Sequence, residues 1–171
     1  MTEAKEDINK HVIAVLVDNE PGVLARVVGL FSGRGYNIES LTVSEVDPVE
    51  ILSRITIVTS GTAMIIEQIK AQLGRLVPVH RVADLILEGD SVERELALVK
   101  VKGGGEKRVE ALRIADIFRA RVVDSTTRSF VFEMTGSSDK IEAFIDLMTP
   151  LGLVDACRTG VVAIARGPEP L

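Results

Sequence analysis

Apolar positions along this chain alternate between short β-branched runs and stripes spaced three and four apart, and the order of alternation occurs twice. Val12 to Val17 is a continuous apolar run of strand length, which predicts a buried strand. Leu24, Val27, Val28 and Phe31 then fall at i, i+3, i+4 and i+7, predicting a helix with one apolar face that stops at Ser32-Gly33-Arg34-Gly35. Tyr36 to Val46 and Ile51 to Thr59 predict a hairpin, because Asp47-Pro48-Val49-Glu50 between them favours a turn. Ile66, Ile69 and Leu73 mark a second helix, with Thr62 near its start and Gly74 at its end, and Leu76 to Leu87 a fourth strand. The order is β-α-β-β-α-β, in which two helices cover one face of a four-stranded antiparallel sheet. The other face needs a cover.

Glu88-Gly89-Asp90-Ser91 punctuates the chain, after which the pattern restarts. Leu96, Leu98 and Lys100 alternate with Ala97, Val99 and Val101, as along a strand with two unlike faces. A Gly103-Gly104-Gly105 loop leads to a helical stripe at Ala111, Ile114, Ala115 and Phe118. Arg121 to Asp124 and Arg128 to Thr135 predict two strands, Ile141, Phe144, Ile145 and Met148 a last helix, and Leu151 to Ala165 the closing strand. The fold class is therefore α+β, two consecutive ferredoxin-like βαββαβ domains over residues 10–89 and 90–167. Residues 168–171 read as a loose tail, since Gly167-Pro168-Glu169-Pro170 suits no packed helix.

The first strand and helix are joined by Asp18-Asn19-Glu20-Pro21-Gly22. Pro21 suits the first helical position, and Gly22 lets the backbone approach whatever sits at that terminus. Unpaired N–H groups and the positive end of the helix dipole make such a terminus a seat for a small anion, for example an amino-acid carboxylate. A Pro-Gly pair alone is more often only a turn. The chain holds three Asn, however, and two of them flank this helix, Asn19 before it and Asn37 after it. Asn37 opens the next strand and could bring its carboxamide beside the helix N-terminus.

These residues resemble a family. Val12 to Val17, Asn19-Glu20-Pro21-Gly22-Val23-Leu24 and above all Gly35-Tyr36-Asn37-Ile38-Glu39-Ser40-Leu41-Thr42-Val43 are similar to the N-terminal ACT domain of the small, regulatory subunit of acetolactate synthase. The likeness continues through Val92-Glu93-Arg94-Glu95, Leu98-Val99-Lys100-Val101, Ile117-Phe118-Arg119 and Arg158-Thr159-Gly160-Val161-Val162, nearly the whole chain. The resemblance implies a non-catalytic subunit that pairs as a homodimer through its ACT domains, side by side in an eight-stranded sheet. It implies association with a large catalytic subunit, which carries thiamine diphosphate, Mg and FAD, while this chain binds no cofactor itself. That subunit would be activated, and made sensitive to a branched-chain amino acid, with valine the expected effector. The effector site implied lies between one chain's helix N-terminus and the other's Asn37-Ile38 edge. Asn19 and Asn37 would fix the polar end, the backbone around Gly22, Val23 and Leu24 the carboxylate, and Val23, Leu24 and Ile38 the side chain. The alternative is a free-standing ACT-domain amino-acid sensor acting on transcription or another enzyme, which keeps the site and changes the partner.

Composition removes several other classes. Residues 1–90 carry 8 basic and 13 acidic side chains and residues 91–171 carry 12 of each, so the front half is acidic and a poor match for nucleic acid. RNA-recognition modules share the element order but stack bases on strand aromatics, and this chain has one Tyr, five Phe and no Trp. No apolar stretch approaches the ~20 residues a bilayer requires. The polar segment Met1 to Asn9 lacks the apolar core of a secretory signal, and the single Cys157 forms no intrachain disulfide, so a cytoplasmic protein is expected. Gly103-Gly104-Gly105 has neither a Walker nor a dinucleotide pattern around it and reads as a flexible turn, or else as a partner-binding loop. His11 and His80 have no companions at metal-ligand spacing and read as surface or strand-edge residues, and Cys157 as a buried thiol. No carboxylate pair or nucleophile with a base is apparent, so neither a catalytic residue nor a metal site is expected.

Overall fold

A computed structural model describes residues 7–171. They form two compact units, one running to Val92 and including Val161–Leu171, the other Glu93–Gly160.

In the first unit the elements are β1 (Asn9–Asp18), α1 (Val23–Gly33), β2 (Ser40–Asp47), β3 (Leu52–Gly61), α2 (Ala63–Leu73) and β4 (Val79–Asp84). The antiparallel sheet runs β2-β3-β1-β4, so β1 and β3 are central and β2 and β4 are edges. Ile13, Val15 and Val17 face the helices and pack with Val27, Phe31, Ile66, Ile69 and Leu73, whereas Val12 and Ala14 point to the opposite face and are equally buried. A strand covered on both sides has no polar alternation to show, which accounts for the uninterrupted run. The stripe on α1 is offset from the one expected: Val23, Val27, Leu30 and Phe31 are buried, while Leu24 is exposed and Val28 half-buried. Apolar residues occupy two overlapping stripes here, and the choice between them is made by the entry turn. The helix begins at Val23 with Gly22 as its N-cap in the left-handed region, φ 88°, and Pro21 lies in the turn before it. The hairpin turn forms as its Asp-Pro pair suggests, Asp47 Oδ1 accepting from the N–H groups of Val49 and Glu50 at 2.9 and 3.0 Å.

The second unit contains β5 (Ser91–Lys102), α3 (Gly105–Phe118), β6 (Arg121–Ser125), β7 (Ser129–Gly136), α4 (Ser138–Gly152) and β8 (Leu153–Arg158), with strand order β6-β7-β5-β8. Ala97, Val99 and Val101 are the buried side of β5 and meet Ala111, Ile114, Ile141, Phe144 and Met148 from the helices. Phe132 stands edge-on to Phe144 with centroids 6.0 Å apart. Arg158 binds Glu95 at 2.6 Å and Glu142 at 2.7 Å, tying β8 to β5 and to α4. The hydrogen bond to Glu95 holds its guanidinium above the ordinary arginine value, against partial desolvation and with help from Glu142.

The closing strand expected over Leu151 to Ala165 is two separate pieces, which moves the domain boundary. β8 ends at Arg158, and β9 (Val162–Ala165) with the rest of 161–171 belongs to the first unit, not to a second domain reaching 167. Val161, Ala163 and Leu171 pack on Val12, Ala14, Val58, Ala83 and Leu85, supplying the cover that the outer face of the first sheet needs. Thr42 Oγ1 donates to the Val161 carbonyl at 3.0 Å, Ser40 Oγ accepts from its N–H at 2.8 Å, and Arg54 Nη2 donates to the Ala163 carbonyl at 2.7 Å. Burial pulls the Arg54 guanidinium below its ordinary value. The expected loose tail is also engaged, since Arg81 Nη1 donates to the Pro170 carbonyl at 3.0 Å. Removing residues 161–171 is therefore expected to cost roughly 2–4 kcal/mol, from two or three buried apolar side chains and their hydrogen bonds less the entropy regained. Chemical denaturation and binding of a hydrophobic dye to a 1–160 fragment check this; an unchanged midpoint with no added dye binding would show the strap to be dispensable.

Candidate functional site

The turn between β1 and α1 is held from the hairpin side. The Asn19 N–H donates to the Ile51 carbonyl at 2.8 Å, and its carboxamide Nδ2 donates to Glu45 Oε2 on β2 at 3.0 Å. The helix that follows has no side-chain cap and no acidic residue in its first turn. The Val23 N–H makes a long contact to the Glu20 carbonyl, 3.4 Å, and the N–H groups of Leu24 and Ala25 have no partner among the described residues. A Cβ built on Gly22 would meet nothing within 4 Å, so the space in front of the terminus is open. The result is a cluster of free donors at the positive end of α1, with a carboxylate, Glu45, close to one side. An α-amino acid carries that pair of charges in reverse.

The predicted site residues fall into two groups. Asn19, Gly22 and Leu24 surround the helix terminus, with Leu24 40% exposed. Val23 does not line the site: it is 3% exposed and belongs to the core between sheet and helices. Asn37 and Ile38 lie elsewhere. Asn37 is exposed and its carbonyl accepts from Thr59 Oγ1 at 2.6 Å, while Ile38 packs partly against the core. Asp18 is opposite Leu52 on β3, whereas Ser40, which follows Asn37-Ile38-Glu39, is opposite Val58. Six residues of β3 separate those levels, roughly 20 Å at the rise of an extended strand, so one chain does not bring Asn37 beside its own helix terminus. Sequence reasoning missed Glu45, because nothing in a single acidic residue on an alternating strand marks it; its register opposite Ser53 is what places it near Asn19.

Of the other residues singled out in the sequence, His11 and Cys157 differ from their expected roles and His80 agrees with its own. His11 is buried, not superficial, with Nδ1 2.6 Å from Asp84 Oδ2, and Asp84 also accepts from the N–H groups of Ile86 and Leu87. His80 is a strand-edge residue bonded to Asp18 at 2.6 Å. Cys157 is exposed rather than buried. Among the described residues no cluster of three or more His, Cys, Asp or Glu has metal-binding geometry, and no helix is long and apolar enough to cross a membrane.

A ferredoxin-like domain with an uncapped, glycine-fronted α1, followed by a second domain of the same element order, defines a two-domain protein of the ACT class. The family model described as an AHAS small subunit-like ACT domain matches residues 13–81, and that for the small subunit of acetolactate synthase matches residues 94–167. The chain belongs to the acetolactate synthase small-subunit family. It is 51% identical to a probable acetolactate synthase small subunit of Archaeoglobus fulgidus, over 92% of this chain and 98% of that one. Identity to the acetolactate synthase isozyme 3 small subunit of Escherichia coli is 44%, over 94% and 98% of the two chains. The crystal structure of the acetolactate synthase small subunit from Thermotoga maritima superposes with a TM-score of 0.84 at 38% identity, covering 94% of this chain and 99% of that one.

Proposed function

We propose that this chain is the non-catalytic regulatory subunit that activates the large, thiamine-diphosphate-dependent subunit of acetolactate synthase and makes it sensitive to valine or a related branched-chain amino acid. The carrying observation is the open N-terminus of α1, whose free Leu24 and Ala25 N–H groups suit a carboxylate while Glu45 suits an ammonium. Leu24 gives apolar contact to the effector side chain. Because Asn37 and Ile38 lie at the other end of the sheet, a second copy supplies them, and the unpaired edge strand β2, with Val43 and Val46 45 and 49% exposed, is the surface through which two copies pair. A ligand shared by two chains couples its binding to their relative orientation, which is how a small molecule becomes a signal. The reaction stays in the cytoplasm with the large subunit, which holds the thiamine diphosphate, Mg and FAD.

Adding the purified chain to the large subunit is expected to raise acetolactate formation several-fold, and millimolar valine to reverse the increase. Sedimentation of the isolated chain at micromolar concentration is expected to show a dimer. No stimulation would reject the assignment to the synthase; valine binding without stimulation would favour the free-standing sensor.

A further inference from the structure

We propose that the second unit carries an anion site for a diphosphate group, at the mouth formed by the β5–α3 loop and the β6–β7 turn. A cavity of about 840 Å³ opens there, and among its lining residues are Lys100, Lys102, Gly104, Thr127, Arg128 and Val154. Three of the lining side chains are cations, none is a carboxylate, and neither Lys100, Lys102 nor Arg128 makes a side-chain hydrogen bond or ion pair among the described residues. Asp155, opposite Lys100 in the β5–β8 register, is the acidic neighbour in strand pairing, and it forms no ion pair with that lysine. Three unpaired cations within one concavity repel one another, and an anion of two or more charges relieves that repulsion.

The two loops are fixed to each other before any ligand arrives. The Gly103 N–H donates to the Arg128 carbonyl at 3.1 Å, and Thr126 Oγ1 accepts from the N–H groups of Arg128 and Ser129 at 3.2 and 3.0 Å. α3 begins at this rim with Gly104 as its N-cap and no side-chain cap, adding unpaired N–H groups to the cationic set, while Glu106 in its first turn lies outside the cavity lining. Gly104 itself is extended, φ −135° and ψ 175°, and a Cβ there would meet nothing within 4 Å. Neither backbone nor packing requires glycine at this position, yet its bareness keeps the floor of the cavity open. The Lys and Arg stems with Val154 provide an apolar side, which suits either free diphosphate or the diphosphate of a nucleotide.

Gly104→Asp separates binding from stability, because aspartate is a favoured N-cap in this backbone region and is expected to leave the fold at least as stable while placing a negative charge in the site. Calorimetry on the full chain at fixed ionic strength, with inorganic pyrophosphate, a nucleoside diphosphate and sulfate as separate titrants, reads the affinity. Pyrophosphate is expected to bind the unaltered chain, and to bind Gly104→Asp and Lys102→Gln/Arg128→Gln at least tenfold more weakly, with sulfate weaker throughout. Tighter binding of the nucleoside diphosphate than of pyrophosphate would assign the site to nucleotides, and the reverse to the free anion. No pyrophosphate binding at millimolar concentration, or the same affinity in the folded variants, would overturn the proposal.

Discussion

A Gly22→Asp chain is expected to lose at least tenfold in affinity for branched-chain amino acids, and a Gly22→Asn chain to bind at least tenfold more tightly than the Asp variant. Gly22 caps α1 at φ 88°, a conformation that costs L-residues about 1–2 kcal/mol and that Asn and Asp tolerate better than others. Both substitutions therefore carry a similar conformational cost, and both side chains enter the same open space. They differ in charge. An aspartate carboxylate competes for the Leu24 and Ala25 N–H groups that the effector carboxylate needs, and one lost charge-assisted hydrogen bond, about 1.5–3 kcal/mol, is already tenfold or more. Calorimetric titration of valine into the two folded variants decides it; equal affinities would remove the effector from this helix terminus.

Gly152→Ala is expected to be the most damaging single-methyl addition in the second unit. Gly152 ends α4 at φ 109°, and a Cβ built there stands 2.1 Å from the backbone carbonyl oxygen of Lys102. That oxygen belongs to the end of β5 and is not a flexible side-chain tip, so either the strand or the helix end must move. Backbone strain and overpacking together are expected to cost roughly 2–5 kcal/mol. Gly104→Ala, where an added Cβ touches nothing, serves as the control. Denaturation midpoints showing the two variants equally stable would mean that α4 and β5 separate without penalty.

Much of this was legible in the order of residues. The repeated β-α-β-β-α-β pattern, the turn at Asp47-Pro48, and the helical stripes at Ile66, Ile69 and Leu73 and at Ile141, Phe144 and Met148 all appear where their periodicity places them. These are local properties, since spacing along a helix or strand fixes which side chains share a face. The nine residues from Gly35 to Val43 carried the family resemblance for the same reason, being contiguous. Where two answers were locally equal, as for the stripes through Val23 and Leu24 on α1, spacing could not choose between them, and the left-handed turn at Gly22 did.

The chain by itself determined the order of its elements up to the closing strand, the presence of a helix terminus fronted by Gly22, and the family to which it belongs. Only tertiary structure decided that Asn37 lies a sheet's length from Asn19, that Glu45 stands beside that asparagine, and that Val161 and Ala163 return to cover the first sheet. It also set His11 against Asp84, 73 positions away. Each of these depends on strand register or on a contact between distant segments. The hydrophobic effect rewards burial without naming the partner, so an apolar segment such as Val161-Val162-Ala163 announces that it will be covered but not what it will cover.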